Sequence, residues 1–295
     1  MPPPRPPGAA KPTALASAEQ HFSLLSSVSP TTFGVIGLGR MAQALLFPWV
    51  DGGLLNASAV RAAVSSEASA VRLRTLRPEL QVDTQPAAAW AAPVVLLAVK
   101  PQQLEQVAAS APAPGPGEAP LLISVLAGVR LERLQRLFPG WRVVRAVPNT
   151  PCLVRAGLTG LAWGAGVTSE QQAWLLELFS QVGEVLELPE VQLDAFLALT
   201  SSGPAFVALV ADALADGAVA AGLPRQAAHR LAHRTLAGTA ALLQEQDLHP
   251  AELRDMVSSP GGTTIAGIRV LERSGLRSAL LEAVVAAAER SRELG

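Results

Sequence analysis

The sequence predicts an α/β protein, with a doubly wound sheet over 32–188 followed by an all-α domain over 189–295. Three observations carry this. Short aliphatic runs alternate with helical patterns as far as Leu188, the order that builds a parallel sheet with helices on both faces. The first run opens into Gly37-Leu38-Gly39-Arg40-Met41-Ala42 and a helix, the context in which a Gly-x-Gly-x-x-Ala turn receives a dinucleotide in a Rossmann-type domain. Beyond Pro189 the strand signal ends, and helical periodicity fills the chain.

Composition narrows the function classes. The chain has 295 residues and a net charge of −1, so neither nucleic acid nor an acidic membrane surface is an expected partner. Hydrophobic residues make up 49% but aromatic ones only 4%, with no Tyr, which suits packed helices and buried parallel strands. The one cysteine, Cys152, excludes an internal disulfide and fits a reducing compartment. The longest apolar run, Ala205 to Leu223, carries Asp212 and Asp216. Those carboxylates would be costly in lipid, so a buried or interface helix is expected rather than a membrane span. The segment 1–31 begins Pro2-Pro3-Pro4-Arg5-Pro6-Pro7 and reads as a disordered extension. It has few basic residues, Arg5 and Lys11, so a cytoplasmic location is expected and organelle import by the extension stays open.

Within the first domain, Thr32 to Ile36 reads as a buried strand and Ala42 to Val50 as a helix. Gly37 makes the turn, Gly39 lets a pyrophosphate reach the backbone, and Ala42 lets helix and strand pack closely. Leu38, Arg40 and Met41 complete the cofactor-binding turn. A second strand, Ala57 to Val64, ends in Ser65-Ser66-Glu67. An NAD site places an acidic side chain there for the ribose 2′-hydroxyl. Here hydroxyls occupy the place, with Arg72 and Arg74 on the next helix, which favours NADPH, while Glu67 leaves NADH possible. Ser65 also reads as the cap of that helix. A third strand, Pro93 to Val99, leads to Lys100-Pro101, with Pro101 at a first helical turn. Ala111 to Pro120 is a surface loop. Strands Leu121–Val125 and Trp141–Val147 flank a helix over Leu131–Phe138. The second of them runs into Pro148-Asn149-Thr150-Pro151, and ligands gather beyond the carboxyl ends of such strands. Strand Leu158–Trp163, helix Ser169–Val182 and strand Glu184–Leu188 close the domain.

In the second half, helices are expected over Val191–Thr200, Pro204–Ala221, Arg225–Glu245, Pro250–Val257, Ile265–Ser274 and Leu276–Glu293. Several are apolar nearly all round, so a homo-oligomeric interface is expected. His229 and His233 stand four apart but lack a third ligand in pattern, so no metal site is expected. Asp212 and Asp216 share a face and are expected to pair with Arg225 or Arg230. The stretch Ser258-Ser259-Pro260-Gly261-Gly262-Thr263-Thr264 lies between two helices. Proline stops one helix, the glycines free the backbone, and a threonine hydroxyl just ahead of Ile265 is expected to cap the next. Such a start suits a carboxylate or phosphate.

Taken together, these motifs resemble the pyrroline-5-carboxylate reductase family from about Phe33 to Leu294. The resemblance rests on the Gly37–Ala42 turn, Ala98-Val99-Lys100-Pro101-Gln102, Ala127-Gly128-Val129 and Pro148–Pro151. It rests further on Ser202-Gly203-Pro204-Ala205, Ala213-Leu214-Ala215-Asp216-Gly217, Gly222-Leu223-Pro224 and Val257–Thr264. The resemblance implies NAD(P)H-dependent reduction of the cyclic imine 1-pyrroline-5-carboxylate to L-proline, by an obligate homodimer often assembled into a ring of dimers. It implies a substrate site between the nicotinamide and the partner's helical half, formed by Gly261, Gly262, Thr263 and Thr264. On the same resemblance the Thr264 hydroxyl is expected near the ring nitrogen, as the catalytic contact, and Glu190 near the substrate. Ser66, Val99, Lys100 and Ala127 match family cofactor positions, and Ser65, Gln85, Pro101 and, at the end of its strand, Asn149 are further expected cofactor contacts. Two residues depart from the family pattern: Ser201 where Gly is usual, and Met256 where an Asn can occur. A β-hydroxyacid dehydrogenase is disfavoured because 191–221 contains no Lys. A sensor without turnover would have no need of the Thr263-Thr264 segment.

Overall fold

The computed structural model describes residues 31–117 and 119–294; the extension expected over 1–31 falls outside them, apart from Thr31. The strands are β1 (Phe33–Ile36), β2 (Val60–Ala63), β3 (Gln81–Asp83), β4 (Val94–Leu97), β5 (Leu121–Ser124), β6 (Arg142–Pro148), β7 (Gly157–Trp163) and β8 (Gly183–Glu187). They form one sheet in the order β3-β2-β1-β4-β5-β6-β7-β8. Helices α1 (Arg40–Asp51), α2 (Glu67–Leu76), α3 (Ala87–Trp90), α4 (Leu104–Ala108), α5 (Leu131–Leu137) and α6 (Ser169–Ser180) connect them. Side chains alternate across a strand, so one face of the sheet buries Val35, Leu96 and Ile123 and the other Ile36, Leu97 and Leu122. Trp49 and Phe179 meet edge to face on the first face, 5.2 Å apart, and Trp90 and Trp141 on the second, 5.6 Å apart.

Three features of this half differ from expectation. The sheet is not wholly parallel, because β6 and β7 pair antiparallel. Only residues 149–156 connect them, and a parallel crossover needs a dozen or more. The second strand begins at Val60 rather than Ala57, since the Asn56 side chain accepts from Ser58 N at 3.0 Å and caps a 3₁₀ turn over Ala57–Ala59. The edge strand β3, with Val82 alone buried in it, is too short to give a sequence signal.

The helical half comprises α7 (Leu193–Thr200), α8 (Gly203–Ala220), α9 (Arg225–Glu245), α10 (Pro250–Met256), α11 (Thr263–Arg273) and α12 (Leu276–Leu294). Its two ends hold it to the sheet. Leu193 and Phe196 of α7 press on Gly160 of β7, and α12 packs along α7. Between them α8 and α9 bury little more than Ala215, Ala228 and Ala232. Their outer faces, and those of α11 and α12, leave Val207, Leu209, Leu214, Leu231, Leu271 and Leu281 exposed. Apolar surface of this extent marks an interface. Asp216 is paired with Arg225. His229 and His233 have rings 6.4 Å apart, and no cluster of three metal-ligating side chains occurs among the described residues.

Candidate active site

The turn between β1 and α1 is built as its sequence requires. Gly37 has φ +88°, and a Cβ there would lie 2.7 Å from the Ala98 carbonyl oxygen, so only glycine fits. Its N–H donates to the Ala63 carbonyl at 2.8 Å. Gly39 is the N-cap of α1, and a Cβ there would meet nothing within 4 Å, leaving open space against the backbone. Gln43 Nε2 donates to the Leu38 carbonyl at 2.9 Å and steadies the turn. Ala42 is fully buried, which brings α1 close to the sheet. No acidic residue stands in the first turn of α1, so the positive end of its dipole is free to face an anion.

This turn floors a cleft of about 500 Å³ at the carboxyl ends of β1, β2 and β4. Gly37, Leu38, Gly39, Ser65, Val99 and Lys100 line it, as does Arg72. Arg40, Met41, Ala42, Ser66, Gln85, Pro101, Ala127 and Asn149 are not among its walls. Ser66, and not Ser65, caps α2, accepting from Ser69 N at 3.3 Å. Ser65 is thereby left to the cleft. Arg74 turns away from it, pairing with Glu67 at 2.8 Å and donating from Nε to the Val82 carbonyl at 2.7 Å. The pairing also occupies Glu67, whereas Arg72 forms no ion pair among the described residues.

Several walls have no expectation behind them. Gln103, Gln106, Val107 and Ser110 line the cleft, and their spacing of three and four is that of one helical face. That spacing, just after Pro101, was the available signal. Thr84 and Pro86 line it from beyond β3. There Asp83 Oδ1 accepts from Thr84 N at 2.6 Å and Gln85 N at 3.1 Å, holding the turn and leaving Gln85 exposed. These two backbone hydrogen bonds, Gln85 first, lower the Asp83 carboxyl below its ordinary range.

Asn149 and Glu190 have their side chains engaged within the chain. Asn149 is buried, with Nδ2 donating to the Thr200 carbonyl at 3.0 Å and Oδ1 accepting from Leu158 N at 2.8 Å. Glu190 Oε1 accepts from Leu131 N at 2.6 Å and from Arg145 Nη1 at 3.2 Å. Ser201 takes ordinary helical torsions, φ −93° and ψ −32°. No glycine is needed there, and its hydroxyl donates to the Pro148 carbonyl at 3.2 Å. Met256 is exposed.

In the segment Ser258–Thr264, Gly261 takes φ +69° and Gly262 is the N-cap of α11, with no side-chain cap hydrogen bond. The expected threonine cap is therefore corrected: Thr263 and Thr264 are the first two helical residues. The extended torsions needed at the cap fall on Gly262, so both hydroxyls stay free of capping. None of the cleft walls comes from 189–294. A single chain does not bring Thr264 to the cleft.

Turn, cleft and helical half define a Rossmann-type NAD(P)-dependent oxidoreductase. Residues 190–294 match the family described as pyrroline-5-carboxylate reductase dimerisation, and 32–128 match NADP oxidoreductase, coenzyme F420-dependent. A pyrroline-5-carboxylate reductase from Synechocystis is 47% identical over 89% of this chain and 97% of its own length. That of Glycine max is 40% identical over 89% and 96%. Among solved structures, the pyrroline-5-carboxylate reductase of Coxiella burnetii aligns with TM-score 0.77 and 31% identity, over 90% of this chain and 98% of its own. The Plasmodium falciparum pyrroline carboxylate reductase with NADP bound aligns with TM-score 0.79 and 26% identity over the same shares. The chain belongs to the pyrroline-5-carboxylate reductase family.

Proposed function

We infer that the protein reduces the C=N bond of 1-pyrroline-5-carboxylate to give L-proline, with NADPH as the preferred donor and each active site shared between two subunits. One observation carries the last point. The cleft and the Thr263-Thr264 segment belong to one chain, yet no residue of 189–294 reaches the cleft. The α8–α9 hairpin and α11 meanwhile expose apolar faces that a second copy would cover. The apolar stretch Glu190–Ala220 is long enough to cross a membrane, but Asp212 and Asp216 within it favour a protein partner over lipid. Further assembly into a ring of dimers, and a cytoplasmic location in keeping with the single cysteine, complete the reading.

The residues fit the cofactor: glycine where a side chain would collide, open backbone at Gly39, and a helix start free of acid. Bound there, NADPH would supply the hydride that the imine carbon takes up. Arg72, with Ser65 and Ser69 in the same cleft, would hold a ribose 2′-phosphate. On the partner's side, the Thr264 hydroxyl would hydrogen-bond the substrate's ring nitrogen. Backbone N–H groups in the first turn of α11 lack helical acceptors and would hold its carboxylate. Holding the imine in place supplies most of what a hydride transfer requires, and an acid–base pair is unnecessary once the imine is protonated.

Oxidation of NADPH and NADH with pyrroline-5-carboxylate tests this. Thr264→Ala should lower turnover by about tenfold or more, the scale expected when a hydrogen-bonding group at the reacting centre is removed. Co-expressing Thr264→Ala with a variant dead in the cleft, Gly37→Asp, should restore about a quarter of wild-type activity, since half of random dimers then contain one intact site of two. No turnover with either cofactor in a folded dimer would overturn the activity. No recovery in the mixed dimers would overturn the shared site.

A further inference from the structure

Arg145 lies in the middle of β6, almost fully buried, with two carboxylates of the helical half against it. Its Nη1 donates to Glu190 Oε1 at 3.2 Å and its Nη2 to Asp194 Oδ1 at 3.3 Å, while Nε has no partner. Each carboxylate oxygen does a second job. Glu190 Oε1 accepts from Leu131 N, the first residue of α5, at 2.6 Å. Asp194 Oδ1 accepts from the Ser291 hydroxyl of α12 at 2.7 Å. Ser291 in turn presses on the loop between β5 and α5. A Cβ on Gly128 would stand 3.0 Å from the Ser291 carbonyl oxygen and 3.0 Å from Leu294 Cβ. Gly128 itself has φ +75°.

The loop 125–130 is thus held at three points. Leu126 N donates to Ser124 Oγ at 3.4 Å, Gly128 lies against α12, and Leu131 N is tied to Glu190. Ala127 projects from it, exposed, at the same sheet edge as the turns after β1 and β4 that form the cleft. A buried cation facing two carboxylates adds little net stability, because desolvation offsets most of the attraction, and apolar replacements of equal volume are often neutral. What the network does supply is geometry. It ties a central strand, the loop bearing Ala127 and both ends of the helical half to one guanidinium.

We propose that Arg145 is a positioning residue for the reduction, acting through Glu190, Asp194 and Ser291 to set where the Ala127 loop stands relative to the helical half. This rests on the reading that the cofactor lies in the cleft with its reactive ring towards Ala127. The adenosine end would lie near Arg72 and Ser65, and none of Arg145, Glu190, Asp194 and Ser291 lines the cleft. Loss of the network should therefore separate hydride transfer from adenosine binding.

Steady-state kinetics with pyrroline-5-carboxylate, calorimetric titration with 2′,5′-ADP and thermal unfolding test this on wild type, Ser291→Ala, Arg145→Lys and Arg145→Met. Ser291→Ala should lower kcat about tenfold, a loss typical of misplacement by a fraction of an ångström, with 2′,5′-ADP affinity unchanged within about twofold. Arg145→Lys keeps the charge but cannot span both carboxylates, so its kcat should fall between wild type and Arg145→Met. Should Arg145→Met fail to fold, Ser291→Ala and Arg145→Lys decide. Both of these retaining wild-type kcat while unfolding earlier would overturn the proposal and leave a structural role. Wild type binding 2′,5′-ADP but turning over no imine would overturn the activity, and this proposal with it.

Discussion

Asn149 and Thr200 are bonded across the boundary between the two halves, the carboxamide Nδ2 donating to the Thr200 carbonyl at 3.0 Å. The same side chain accepts from Leu158 N at 2.8 Å. One residue therefore closes the end of β6, the start of β7 and the end of α7 on one another. Asn149→Ala leaves a part-buried donor, Leu158 N, and a buried acceptor, the Thr200 carbonyl, without these partners, at about 1–3 kcal/mol for a fully buried group. Urea unfolding should show a loss of that order, and an unchanged midpoint would contradict the assignment.

Arg72 lines the cleft with Ser65, Ser69 and Lys100, and Arg74 is spent on Glu67. If Arg72 meets a 2′-phosphate, that charge-assisted contact contributes about 1.5–3 kcal/mol. Arg72→Ala should then raise KM for NADPH by about tenfold or more and leave KM for NADH nearly unchanged. An equal rise for both cofactors would exclude a role in choosing between them.

Gly157 has no room for a side chain. A Cβ there would overlap Cys152 Sγ and lie 2.9 Å from both Cys152 N and the Val182 carbonyl oxygen. Gly157→Ala should destabilise the fold by about 3 kcal/mol, since backbone atoms cannot give way as a flexible side chain can. Thiol labelling provides the readout. Cys152 is buried, and burial pushes its thiol pKa up, so the native protein should react slowly with a disulfide reagent and Gly157→Ala much faster.

The turn held by Asp83 should depend on pH in one direction. Its carboxyl is lowered on folding, so its contribution is complete above the unfolded value of about 3.9. It is lost as pH falls through the lowered folded value. Asp83→Ala should therefore unfold slightly earlier than wild type at neutral pH, and the two curves should converge in acid, once pH has fallen through the lowered folded value. A difference that persists in acid would mean that the carboxylate is not what holds the turn.

Much of this was legible in the chain. The strand, Gly37–Ala42 turn and helix needed only local rules, because each glycine answers a steric demand made within a few residues. The Arg225–Glu245 helix was readable end to end from its flanking Pro224 and its periodicity. The antiparallel β7 was hidden because its cause is the shortness of a connection, not a pattern within the strand. The direction of Arg72 and Arg74 was equally hidden. Both sit on one helix, and only the Val82 carbonyl and Glu67 show which of them is drawn away from the cleft.

The sequence by itself determined the two-part architecture, the cofactor turn and the proline–glycine segment before α11, since these follow from torsional limits and periodicity along the chain. Only the tertiary structure decided what Asn149, Glu190 and Arg145 do, because the contacts Asn149–Thr200, Glu190–Leu131, Arg145–Glu190 and Arg145–Asp194 join residues 45 to 59 apart in the chain. It also decided that the cleft and Thr264 stay apart within one chain. Distance through space between two rigid halves is set by packing, and no local pattern records it.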